Sequence, residues 1–229
     1  MPNPTRNKRT IHSFVRRTGR ITAAQQAALK NLWPRYGIDN SVEMLDFDAV
    51  FSRRAPVVLE IGFGNGESMV EQARLHAELD FVGVEVHLPG VGHCLLQAEK
   101  DGVSNLRVMA GDAIEVLQQQ IADGTLYRVN LYFPDPWPKK RHHKRRIIQT
   151  AFLQQLARKL EPEGEFFIAT DWADYARHIN EVIAFETCFK TVEKREHAAD
   201  APLDRGTTKF ERRGRRLGHT IWDWRLRRV

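Results

Sequence analysis

Apolar positions along the chain fall into short continuous runs separated by stretches of helical spacing. Val57–Ile61 (VVLEI), Phe81–Val86 (FVGVEV), Leu106–Met109, Val129–Phe133 and Glu165–Thr170 (EFFIAT) have the length and the β-branched or aromatic content of buried strands. Between and after them the pattern predicts helices over 67–76, 91–100, 112–122, 145–160 and 175–186. In 145–160, Ile148, Phe152, Leu156 and Leu160 recur at i, i+4, and Pro162 and Gly164 stop the helix. Strand and helix patterns in alternation predict an α/β fold with a mostly parallel sheet. Phe189–Lys194 and Thr220–Leu226 (TIWDWRL) add two strands, predicted to form an antiparallel C-terminal edge.

The first part of the chain reads differently. Residues 1–38 contain no Asp or Glu, whereas Arg6, Lys8, Arg9, Arg16, Arg17, Arg20, Lys30 and Arg35 make this stretch strongly cationic. It lacks the apolar core of a secretory signal, although an acid-poor, Arg-rich N-terminus is also the composition of an organelle transit peptide. One short capped helix is expected over Thr22–Leu32, interrupted by Pro34 and Gly37. The expected division is therefore a basic arm over 1–45, mobile alone and ordering on nucleic acid, and one folded domain over 46–229.

Composition narrows the partners. The 229 residues, 42% of them hydrophobic, suffice for one large α/β domain, and the net charge of +6 favours polyanions. No apolar run approaches the roughly 20 residues that span a bilayer. The two cysteines, Cys94 and Cys188, fit a reducing compartment, and neither they nor His142 and His143 have zinc-ligand spacing, so no metal is expected.

Two motifs carry chemistry. The first is EIGFGNGE, with Gly62, Gly64 and Gly66 between a strand and a helix, where a ligand passes against the backbone. A dinucleotide fingerprint would place its third glycine where Glu67 stands, and that carboxylate repels a pyrophosphate. Glu60 before the loop suits a cationic ligand; S-adenosylmethionine, with an ammonium, a sulfonium and no phosphate, has the right chemistry. Glu85 at the end of the second strand is placed for ribose hydroxyls, and Asp112 after the third for an adenine amino group or for a helix cap.

The second motif is LYFPDPWPKKRHHKRR, residues 131–146. Its prolines stiffen a loop that carries Asp135 and Trp137, and Lys139–Arg146 follow as a dense cationic strip. An acid, an aromatic ring and a phosphate-binding strip in one loop suit a nucleobase held by its edge and backbone. Trp137 would stack on that base or cover the pocket floor.

With these motifs, the TDW after the fifth strand and TKFE near the C-terminus, the chain resembles the bacterial tRNA (guanine-N7)-methyltransferase family from about Pro56 to Trp224. The resemblance implies a Rossmann-like class I methyltransferase, with a mostly parallel seven-stranded sheet and helices on both faces. It implies methyl transfer from S-adenosylmethionine to a guanosine of the tRNA variable loop, position 46. By motif, Glu60, Gly62, Gly64, Glu85, Asp112 and Asp135 would contact the cofactor, with Asp135 the catalytic residue. Lys139, Asp171, Thr208, Lys209, Phe210 and Glu211 would contact substrate. Arg141, His142, His143, Lys144, Arg145 and Arg146 would contact RNA. A cytoplasmic monomer with tRNA as partner, and neither metal nor membrane, is expected. Two other readings stand beside this one: an exocyclic-amine methyltransferase of the same fold, and a noncatalytic RNA-binding protein.

Overall fold

The computed structural model describes residues 13–14, 19–197 and 220–229. Seven strands, β1 Val57–Ile61, β2 Asp80–Glu85, β3 Leu106–Ala110, β4 Leu126–Tyr132, β5 Leu160–Thr170, β6 Phe189–His197 and β7 Ile221–Arg228, form one sheet in the order β3-β2-β1-β4-β5-β7-β6. β1 to β5 pair in parallel. β7 inserts antiparallel between β5 and β6, so the last two strands build the expected antiparallel side of the sheet.

The alternating faces of these strands bury two separate cores. On one, Leu59, Val82, Val129, Leu131, Phe166, Ile168 and Trp224 pack under α6 Ala113–Gln119, α7 Thr150–Lys159 and α8 Ala173–Phe185. On the other, Val58, Phe81 and Val108 pack under α4 Glu67–Leu75 and α5 Leu88–Asp101. From β4 outward Arg128, Phe167 and Arg225 stack on one another, with both guanidinium groups over the Phe167 ring at 5.1 and 5.5 Å.

The N-terminal boundary differs from the expectation. Three helices, α1 Ala23–Asn31, α2 Trp33–Tyr36 and α3 Phe47–Phe51, precede β1, and residues 23–38 are packed on the domain. Thr22 and Gln25 form a reciprocal capping box for α1, whose Ala28 is buried beside α5. Tyr36 is fully buried and its hydroxyl donates to Glu99 Oε2 at 3.0 Å, where Arg35 also pairs at 2.7 Å. Burial first, then that hydrogen bond, push the hydroxyl up to about 12. Gly37 bridges to Val108 and the Ile38 amide donates to the Val108 carbonyl at 2.9 Å, so the chain covers the open edge of β3. Charge alone assigns this stretch to the arm; its few apolar side chains outweigh the charge because Ala28, Leu29, Leu32, Trp33 and Tyr36 pack into the core that α5 and β3 also enter. Residues 1–12 and 15–18 lie outside the described residues.

The helix expected over 145–160 begins only at Thr150. Residues Lys140–Arg145 form a 3₁₀ helix, and Ile148 lies between the two helices, fully buried. The Ile148 amide donates to the Tyr175 hydroxyl at 3.3 Å, and its carbonyl lies 2.8 Å from His178 Nε2, so side chains of α8 take the backbone groups a helix would use. Leu160 belongs to β5, which leaves only Phe152 and Leu156 of the periodic set in α7.

Tyr36→Ala is expected to lower the unfolding free energy by ~3–5 kcal/mol in urea denaturation, as for a buried aromatic in a core. An unchanged midpoint would return residues 23–38 to the mobile arm.

Candidate active site

β1 and β4 are neighbours in the sheet but far apart in sequence, and the crevice at such a switch point is where open α/β sheets bind ligands. A cavity of about 560 Å³ lies there, lined from the C-terminal ends of β1, β2, β3 and β4. Gly62, Gly64 and Gly66 all have positive φ (71°, 61° and 77°), which glycine adopts without strain. A Cβ on Gly62 would meet nothing within 4 Å, whereas one on Gly66 would stand 2.4 Å from Cys94 Sγ. The first glycine therefore leaves the backbone open to a ligand, and the third lets α4 approach α5.

The structure brings Glu60, Glu85, Asp112 and Asp135 to this one cavity. Glu60 is buried on β1, with Asn130 Nδ2 a long 3.5 Å away. Glu85 accepts three backbone N–H bonds, from Gly64 at 2.8 Å, Val86 at 2.7 Å and His87 at 2.9 Å. It thus ties the glycine loop to the start of α5 as well as facing the cavity, a role not visible from spacing. Asp112 caps α6 by accepting from the Ile114 amide at 2.9 Å, so cap and cavity-lining positions coincide.

The Asp135 loop is held in an unusual conformation. Phe133 and Trp137 both precede a proline, a position that favours extended backbone, yet their φ values are 52° and 46°. A bulky residue in the left-handed region costs roughly 1–3 kcal/mol, so surrounding contacts must enforce it. Phe133 donates its amide to the Ala169 carbonyl at 2.8 Å. Trp137 donates Nε1 to the Ser13 carbonyl at 3.0 Å, with Arg145 4.7 Å over its ring and His142 edge-on at 5.7 Å.

Arg146 supplies the third restraint and departs from its expected place in the RNA strip. It is 3% exposed, donates Nε to the Pro136 carbonyl at 2.9 Å, pairs with Asp174 and lies 5.0 Å over the Tyr175 ring. A guanidinium so committed is turned into the protein, because the loop's own carbonyl and the α8 carboxylate outcompete solvent for it. Lys140, Arg141 and Lys144 are exposed. Desolvation first, then the surrounding Arg and Lys charges, hold the His142 imidazole below its usual pKa, so His142 adds little to the strip's charge near neutral pH.

Lys139 is exposed at the start of the 3₁₀ helix, and Asp171 follows the end of β5; neither lines the cavity. Thr208, Lys209, Phe210 and Glu211 lie outside the described residues. Spacing missed Ser68, which lines the cavity, is buried, and has a hydroxyl without a hydrogen-bond partner among the described residues. Its position in the first turn after the glycine loop was the available signal. The described lining holds five carboxylates, Glu60, Glu67, Glu85, Asp112 and Asp135, and no Lys or Arg. With the open Gly62 backbone and the orphaned Ser68 hydroxyl, this lining suits a cationic, phosphate-free ligand with hydrogen-bonding ends. No helix among the described residues is long and apolar enough to cross a membrane, and none of their side chains cluster as metal ligands.

A family model described as "Putative methyltransferase" matches residues 54–224. The tRNA (guanine-N(7)-)-methyltransferase of Cronobacter sakazakii is 51% identical over 221 residues, covering 96% of this chain and 92% of that protein. That of Sodalis glossinidius is 53% identical over 215 residues, covering 94% and 90%. Among solved structures, a 16S rRNA (adenine(1408)-N(1))-methyltransferase from Catenulisporales acidiphilia, crystallised with cosubstrate SAM, shares the fold. It has a TM-score of 0.55 at 19% identity, over 81% of this chain and 92% of that one.

The inward role of Arg146 has a thermodynamic signature. Arg146→Ala is expected to cost ~2–3 kcal/mol in chemical denaturation, as for hydrogen bonds to charged groups, and Arg145→Ala to stay within ~0.5 kcal/mol. The Arg146 hydrogen bond is the main reason the Asp174 carboxyl lies below the usual carboxylate range. Its contribution is thus present above pH ~4 and lost as pH falls through the depressed native value. The stability gap between wild type and Asp174→Asn should accordingly close on acidification; a constant gap would contradict the ion pair.

Proposed function

Because the chain belongs to the tRNA (guanine-N(7)-)-methyltransferase family, we propose that its acidic cavity holds S-adenosylmethionine and that its target is a variable-loop guanosine, position 46. The enzyme transfers a methyl group from S-adenosylmethionine to N7 of a guanosine in tRNA. The single observation that carries the site assignment is a lining that, among the described residues, holds five carboxylates and no Lys or Arg, set directly beside a cationic strip. Such a lining repels phosphate and attracts a sulfonium and an ammonium, while the strip does the reverse. S-adenosylmethionine, when bound, supplies an electrophilic methyl group. With tRNA as substrate, the cytoplasm is the proposed place of action.

The chain's own residues have limited work to do, and it is mainly alignment. Guanine N7 carries an in-plane lone pair and no proton, so no general base is required. Glu85 fixes the Gly64 backbone, and with it the floor of the cavity. Ser68 offers a hydroxyl already removed from water. Asp135, presented by a turn that the Ala169 carbonyl, Arg146 and Ser13 hold in place, stabilises the positive charge that the purine gains or orients the base. In this reading Asp171, past the adjacent strand, accepts from guanine N1 and N2, a pairing adenine lacks. Lys139 meets a phosphate, and the exposed Lys140, Arg141 and Lys144 follow the backbone.

Incubation with labelled S-adenosylmethionine and unmodified tRNA, followed by nucleoside analysis, should yield 7-methylguanosine from position 46. Asp135→Asn should lower the single-turnover rate about 10²-fold with tRNA affinity nearly unchanged. A tRNA carrying 7-deazaguanosine at the target should bind as a competitor of ordinary strength and accept no methyl group. Methylation of that substrate at the target nucleotide would refute N7 as the acceptor and favour an exocyclic amine.

Salt dependence separates the strip's members. Replacing Arg141 and Lys144 together should flatten the log–log slope of tRNA affinity by about 1 to 2 units. Arg146→Gln should leave that slope alone, and a flattening there would make Arg146 a phosphate contact after all.

A further inference from the structure

Two residues from the N-terminal part of the chain, Ser13 and Phe14, line the cavity beside Glu60, Glu85 and Asp135. What brings them there is visible in the hydrogen bonds. An indole has one N–H donor and no acceptor, and once removed from water that N–H needs a carbonyl. Trp137 finds it in Ser13, across 124 residues of sequence. The indole is not free to seek another partner, since Arg145 covers its face, His142 meets its edge, and its backbone is left-handed between two prolines. On the opposite side of the cavity the chain returns to the site at Gly19. A Cβ there would stand 2.6 Å from Nε2 of His87, which is also a lining residue. The N-terminal part therefore meets the site twice, beside the loop after β4 and beside the turn after β2.

We infer that Phe14 is a cofactor-binding residue, and that Trp137 is a positioning residue that holds it over the cavity through the Ser13 carbonyl. This rests on the reading of the cavity as the S-adenosylmethionine site. It gives Trp137 a task other than stacking on the acceptor base. It also makes part of the cationic N-terminal stretch a wall of the cofactor pocket. An aromatic ring over a pocket floored by carboxylates adds apolar contact and a π-face, both favourable to an adenosine-bearing sulfonium.

The test is calorimetric titration of the full-length protein with S-adenosylmethionine in the absence of tRNA. Phe14→Ala should weaken binding about tenfold through loss of the aromatic contact. Trp137→Phe, which keeps an aromatic ring under Arg145 and removes the N–H donor, should weaken it about threefold. The double variant should bind no worse than Phe14→Ala alone, because the indole acts only through Phe14; side chains serving the fold separately would give additive losses. Wild-type affinity in Phe14→Ala, or full additivity in the double variant, overturns the inference. Glu85→Ala is the control for the cavity itself. If it binds S-adenosylmethionine like wild type, the cofactor assignment fails; if it weakens binding while Phe14→Ala does not, only the role of Phe14 falls.

Discussion

A buried guanidinium governs the geometry of this site. Arg146 reaches from the end of the cationic strip to the Pro136 carbonyl, the Asp174 carboxylate and the Tyr175 ring, and so locks the loop after β4 to the start of α8. The loop needs that lock, because Phe133 and Trp137 are held in backbone conformations that aromatic residues before proline ordinarily avoid. Strain of this kind persists only where the surroundings over-determine it. The consequence is a rigid presentation of Asp135, and methyl transfer to a proton-free nitrogen depends on alignment above all.

The same region separates opposite charges over a short distance. Five carboxylates line the cavity, while Lys140, Arg141 and Lys144 stand exposed just beyond it. In the proposed reading, a cationic cofactor and a polyanionic substrate are thereby drawn to adjoining surfaces without competing for one another's contacts. Arg145 and His142 sit at the boundary, packed on the Trp137 ring. Charge in this segment thus has three destinations: solvent, an aromatic face, and the interior.

Support also comes from elements that look peripheral. Residues 23–38 seal the edge of β3, whose C-terminal end leads to Gly111 and Asp112 at the cavity, and Asn40 donates to the Ala110 carbonyl at 2.8 Å beside them. Ser13 and Phe14 reach the opposite side of the same site. The cationic composition of this stretch hides its structural work, since its apolar residues are few and spaced over several short elements.

The alternation of apolar runs with helical periods was enough to determine the parallel α/β sheet, because buried strands must be apolar on both faces and their crossovers must be amphipathic. The positions of Glu60, Glu85, Asp112 and Asp135 were legible for a related reason: each closely follows, or nearly ends, a strand of that sheet, and the C-terminal ends of such strands share one edge. Tertiary structure alone decided the rest. Arg146 is indistinguishable from Arg141 and Lys144 in a run of like charges, and only the arrival of Asp174, Tyr175 and the Pro136 carbonyl turns it inward. Ile148 fits the helical period of 145–160, yet Tyr175 and His178 of α8 claim its backbone groups and keep it out of α7. Ser13 and Trp137 meet across 124 residues, and no local pattern encodes the match of one indole N–H to one distant carbonyl. Periodicity reports which face of an element is buried; which partner waits on that face is settled only when the chain has closed on itself.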